Sequence, residues 1–224
     1  MSHSDSTGTS NAVERVKPLL RGYSHAIAAP LALVATFLLL QGASGHQDRQ
    51  VALAIYGATL VLLFVGSATY HLGRWRAMPE RILQRIDHSN IFLVIAGTYT
   101  PIAVAILAGW SRVAILVVVW ALALTGSGIS LLGIQVRRGV LAALYIGVGW
   151  VAVLVAPAIF RVVGYGGSAM LLGAGLLYTL GALCYAFRRP DPWHRVFGYH
   201  EVFHIMVIAA SALFVAFMAV YVAG

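Results

Sequence analysis

Seven stretches of this chain have the length and apolar character of membrane-spanning helices, and nothing else in the sequence restricts the fold as much. A span needs about 20 mostly apolar residues. Segments at about 23–41, 51–72, 86–108, 113–134, 140–160, 168–187 and 197–222 meet that requirement. Lipid offers a bare backbone no hydrogen bonds, so each segment must be helical. The expected fold class is all-α: a polytopic membrane protein, with a seven-transmembrane helix bundle over residues 23–224. Composition agrees, since only 10% of residues are charged and 60% are hydrophobic, whereas a soluble domain is about a quarter charged. An odd number of spans and the lack of an internal sequence repeat argue against a simple two-fold inverted repeat.

The formal net charge of +8 raises the question of nucleic acid. The basic residues sit in short connections between spans rather than in one patch, so they read as topology signals and exclude a nucleic-acid partner. Twelve fall on one side: Arg15, Lys17, Arg21, Arg74, Arg76, Arg81, Arg85, Arg137, Arg138, Arg188, Arg189 and Arg195. Three fall on the other: Arg49, Arg112 and Arg161. This asymmetry predicts a cytoplasmic N-terminus, a C-terminus outside and residence in the cell inner (plasma) membrane as a multi-pass protein. Residues 1–22 are polar, rich in Ser and Thr and free of an apolar signal-peptide core, so they read as a disordered cytoplasmic tail. The one cysteine, Cys184, cannot form an intrachain disulfide, and no Cys-based metal site is available.

Ionisable residues inside a membrane are costly and mark functional sites. With the topology set by the basic residues alone, His25, His71, Asp87, His88, His200, Glu201 and His204 all fall at the cytoplasmic ends of spans one, two, three and seven. His200 and His204 are four apart on one helical face, as two ligands of one ion require. Ser67 and His71 in "SATYH" share that spacing, so Ser67 sits one turn from His71. Asp87 can accept a proton from a ligand His or hold a water at a metal.

"HEVFH", residues 200–204, is a literal match to the H-E-x-x-H signature of zinc proteases. Those enzymes mostly take a third ligand downstream. The 20 residues after His204 contain no His, Asp, Glu or Cys. The protease reading therefore fails on ligand supply, while a zinc site completed from upstream by His71 stays open. Glu201 lies about 100° around the helix from His200 and reads as a carboxylate reaching the headgroup region. His88 and His25 read as partners of a neighbouring helix or of lipid phosphate. Tyr99 and Thr98 read as packing residues near Pro101. Pro101 and Pro157 are expected to kink or loosen spans three and five. Gly126, Gly128, Gly147, Gly149, Gly173 and Gly175 suit close helix packing.

The chain resembles the hemolysin III family, within the superfamily of progestin and adipoQ receptors. The stretches that carry the likeness are "SATYH" (67–71), "DHSNIFLVIAGTYTP" (87–101), "RRPDPWHRVFGYHEVFH" (188–204) and, more loosely, "RGYSHAIAAPLALV" (21–34). The resemblance implies seven spans, a cytoplasmic N-terminus and a Zn²⁺ ion held by His71, His200 and His204, with Asp87 and Ser67 beside it. It also implies that the match at Glu201 is fortuitous.

Three function classes follow. A three-His zinc site leaves a fourth position for water, which suits a zinc-dependent intramembrane hydrolase of a lipid amide or ester, with Asp87 as its catalytic base or water-orienting residue. Apolar helices would admit an acyl chain, making membrane lipids the expected partners. A non-enzymatic membrane-state sensor or receptor-like protein, with zinc pinning spans two and seven, is the alternative. A pore-forming cytolysin is the third, and no amphipathic pore-lining segment supports it. Substrate, protein partners and oligomeric state are not legible.

Overall fold

The computed structural model describes residues 18–193 and 195–224. The chain forms helices α1 (Tyr23–Gly42), α2 (Gln47–Leu72), α3 (Ala77–Ile106), α4 (Gly109–Leu131), α5 (Arg138–Gly149), α6 (Ala156–Phe187) and α7 (Tyr199–Tyr221), with a 3₁₀ segment Trp150–Val155 between α5 and α6. Among the described residues there is no strand, only an isolated bridge between Trp193 and Phe197. The protein is an all-α polytopic membrane protein. Six helical segments are long and apolar enough to cross a membrane when 138–187 is counted as one.

That 50-residue segment does not run straight. Trp150 Nε1 donates to Thr179 Oγ1 at 2.9 Å, yet a continuous helix would separate residues so far apart in sequence by about 44 Å. The reversal lies at Gly164, the one non-helical residue within α6, where φ is +62°. A residue with a Cβ is strained there. Pro157 stands in the first turn of α6, a position that tolerates its missing N–H, directly after the 3₁₀ segment. The expected loosening of this span therefore occurs just before Pro157. By contrast, α3 runs unbroken through Pro101.

The bundle is organised around α3, whose apolar window is 67% buried against 28% for α1 and α4. Helix α3 contacts α2, α4, α5, α6 and α7. Tyr99 on α3 does more than pack. Its hydroxyl donates to the Gly149 carbonyl and accepts from the Ala152 amide, both at 2.6 Å. It thereby satisfies backbone groups freed where α5 gives way to the 3₁₀ turn, which lipid could not do.

Close packing uses other glycines than most of those expected. A Cβ at Gly126 would meet Phe92, and one at Gly173 would come within 3.1 Å of Leu213. Gly128, Gly147 and Gly149 face open space, and Gly175 has only an ordinary contact with Trp150. Close approaches also fall at Gly57 against Thr36, Gly97 against Thr59 and Gly66 against Asn90. These join α2 to α1 and to α3.

The expected disorder of the N-terminal tail concerns mainly residues 1–17, which lie outside the described residues. Residues 18–22 form a turn tied to the connection before α7: the Leu19 amide donates to the Arg195 carbonyl at 3.1 Å and the Leu20 amide to the Val196 carbonyl at 3.2 Å.

Candidate metal centre

The last turns of α2 carry Ser67 and His71, α3 carries Asp87 about three turns from its start, and the first two turns of α7 carry His200 and His204. All five meet at one end of the bundle. One ring nitrogen from each of His71, His200 and His204 lies within 4.8 Å of the other two. His71 Nε2 and His200 Nε2 are 3.1 Å apart. His71 and His204 are buried and His200 is half-buried. The Asp87 carboxylate stands 3.9 Å from His71 Nε2, and the Ser67 hydroxyl is beside it.

This geometry allows the three imidazoles to share one metal ion. Two imidazoles bound tetrahedrally at about 2.0–2.1 Å hold their nitrogens roughly 3.3 Å apart, close to the His71–His200 separation. An unpaired imidazole nitrogen in an apolar interior is costly, and among the described residues His204 Nδ1 is buried without a hydrogen-bond partner. The donor set is all imidazole, which suits a borderline metal rather than calcium or magnesium.

The α7 N-terminus explains Glu201. Its Oε2 accepts from the Gly198 amide at 2.7 Å and its Oε1 from Arg21 Nε at 2.9 Å. Glu201 is 2% exposed, so it does not reach the headgroup region as expected. The turn at residues 18–22 carries Arg21 onto it, and a buried carboxylate is retained because it is paired and caps a helix. It takes no part in the histidine cluster. Gly22, with φ +90°, lets the same segment pass close to the site, since a Cβ there would lie 2.7 Å from His71 Cβ.

His25 is the site residue that sequence reasoning assigned elsewhere. It stacks on His204 with ring centroids 3.8 Å apart and an interplanar angle of 14°, and Phe64 meets its other side edge-on at 5.1 Å. Both its nitrogens are buried. The available signal was its position at the same end of the bundle as the other histidines. His88 is not one of the clustered histidines, and its ring lies edge-on to Tyr185 at 6.4 Å.

Below the histidines a narrow cavity of about 100 Å³ begins at His25, Ser67, Asp87 and His204. It shares Thr98, Tyr99, Gly149, Trp150, Gly175 and Phe214 with a second cavity of about 200 Å³ that continues toward Ile159 and Ser168. The walls of both are mostly apolar, and of the three clustered histidines the first is lined by His204.

The family model described as "Haemolysin-III related" matches residues 13–215 of this chain. The chain is similar to "Hemolysin-3" of Bacillus cereus, 31% identical over 194 residues that cover 85% of this chain and 84% of that protein. It is similar to "Hemolysin-3 homolog" of Bacillus subtilis (strain 168), 30% identical over 193 residues, covering 84% and 86%. The adiponectin receptor protein of Drosophila melanogaster is 26% identical over 193 residues, covering 74% of this chain and 41% of the receptor.

Proposed function

This chain belongs to the haemolysin-III related family, and on that premise we propose that it is a zinc-dependent intramembrane hydrolase of a lipid amide or ester. The observation that carries this reading is the buried three-His cluster beside a mostly apolar cavity that His204, Asp87 and Ser67 help to line. His71, His200 and His204 hold the zinc, which supplies Lewis acidity to the hydrolysis when bound. Apolar walls along α3 receive an acyl chain and align the scissile group with the cluster. Asp87, the carboxylate nearest His71, takes a proton from the attacking water, and Ser67 orients that carboxylate.

The topology belongs to the same proposal. Residues 138–187 cross the membrane twice, with Gly164 between the crossings, which makes seven spans in one domain over residues 23–224. The N-terminus is cytoplasmic and the membrane is the inner (plasma) membrane, in keeping with the twelve-to-three distribution of basic residues.

One observation favours a sensor with structural zinc instead. Helices α2 and α7 have almost no other backbone contact with each other, so a metal shared by His71, His200 and His204 would pin them together. The Asp87→Asn variant separates the two readings. The amide keeps the size of the carboxylate and cannot accept the proton. At equal membrane level and zinc content, the variant is expected to lose turnover on a panel of lipid amides and esters by a factor of about 10²–10⁴. Identical turnover and identical cellular lipid profiles for wild type and variant would sink the hydrolase reading and leave the sensor.

A further inference from the structure

A separate cavity of about 640 Å³ opens at the same end of the bundle, between the early turns of α3, the α4–α5 connection, the start of α5 and the last turns of α6. Three guanidinium groups line it, from Arg81 and Arg85 on α3 and Arg138 on α5, together with the neutral polar groups of Gln84, His88 and Ser130. No carboxylate is among its described lining residues.

Two of the arginines are aimed by neutral partners. Arg85 donates to the Leu131 carbonyl at 3.3 Å and lies across Gly133, where a Cβ would overlap its guanidinium. Arg138 donates to the Tyr199 hydroxyl at 3.1 Å and stands over the Tyr185 ring, 5.5 Å from its centroid. These contacts fix position and cancel no charge. The N-terminus of α5 adds to the excess. It has no side-chain cap and no acidic residue in its first turn, so its free amides and dipole present further positive potential. Arg138 at that end runs against the dipole's own preference for an acid. Topology alone does not account for the arrangement, because the charge rule counts arginines near a span without requiring that they share a cavity. Arg74 and Arg76 serve that count and do not line the cavity.

Ile134, which lines the cavity, is 56% exposed, and the nearby Leu132 is 76% exposed, so apolar surface on which acyl chains can lie adjoins the charges that would meet a phosphate. We propose that this cavity binds the phosphate of an anionic membrane phospholipid. Guanidinium forks match phosphate oxygens, and basic pockets between spans hold anionic headgroups.

The test uses the full-length chain in nanodiscs of equal phosphatidylglycerol and phosphatidylcholine, with retained lipid read by native mass spectrometry. Wild type is expected to retain phosphatidylglycerol preferentially. The Arg85→Gln/Arg138→Gln variant is expected to lose that preference by about fivefold or more per arginine. The Arg74→Gln/Arg76→Gln variant, with the same charge removed at the same end of the bundle, is expected to keep it. Arg81→Gln changes an exposed side chain and gives a milder loss if the double variant is too unstable to purify. Excess inorganic phosphate is expected not to displace the lipid. Undiminished preference in the cavity variants, an equal loss in the Arg74/Arg76 control, or displacement by inorganic phosphate alone would each overturn the proposal.

Discussion

Two carboxylates stand close to three histidines in this protein, and their partners give them different work. Asp87 faces His71 at 3.9 Å, whereas Glu201 is engaged by the Gly198 amide and Arg21. Glu201→Gln is therefore expected to lower stability by about 1–3 kcal/mol, the worth of a hydrogen bond to a charged group, and to leave zinc content unchanged. Thermal unfolding and elemental analysis of the purified variant check both parts. Were Glu201 a zinc-protease base, the substitution would instead leave melting intact and abolish activity. His204→Ala is expected to remove most of the zinc found in wild type, about one ion per chain, because two imidazoles hold zinc far more weakly than three. Full zinc occupancy in a variant lacking His71, His200 and His204 together would show that the metal binds elsewhere. At this scale the sequence was largely readable: Ser67 with His71 and His200 with His204 are pairs four apart, and helical geometry places each pair on one face without help from the rest of the chain. His25 was not, because its stack on His204 depends on how α1 lies against α7.

Among the helices, packing is decided by where backbones come closest. Gly97 of α3 lies against Thr59 of α2, and that side chain cannot easily yield, since Thr59 is buried and donates to the Tyr56 carbonyl at 2.8 Å. Gly97→Ala is expected to destabilise by about 1–3 kcal/mol through overpacking. Gly128→Ala, at a position facing open space, is expected to be neutral or slightly stabilising. A melting-temperature comparison of the two in one detergent separates them, and an equal effect would contradict the close approach of α2 and α3. The sequence shows that glycines are frequent in the spans but not which ones touch a neighbour. That depends on the rotation of each helix about its axis.

For the whole molecule, orientation is the quantity that membrane insertion sets and packing does not. An alkaline phosphatase fused after Gly224 is expected to be active, since that enzyme works only outside the cytoplasm, and a fluorescent cytoplasmic reporter at the same position is expected to be dark. The reverse pattern would overturn the cytoplasmic N-terminus. The sequence by itself determined the class of the molecule, the positions of its apolar segments to within a few residues for most, and the gathering of His25, His71, His88, His200 and His204 at one end. Length, hydropathy and charge are local properties, and the bilayer acts on them locally. The tertiary structure decided that Arg21 closes over Glu201, that His25 lies against His204, that Tyr99 mends the broken end of α5, and that Arg81, Arg85 and Arg138 share one cavity. The physical reason is the solvent. In lipid, a helix is apolar on the face it packs and on the face it exposes, so the pattern that marks the inner face in water is erased. Only the fit of one helix against another then settles which residues meet.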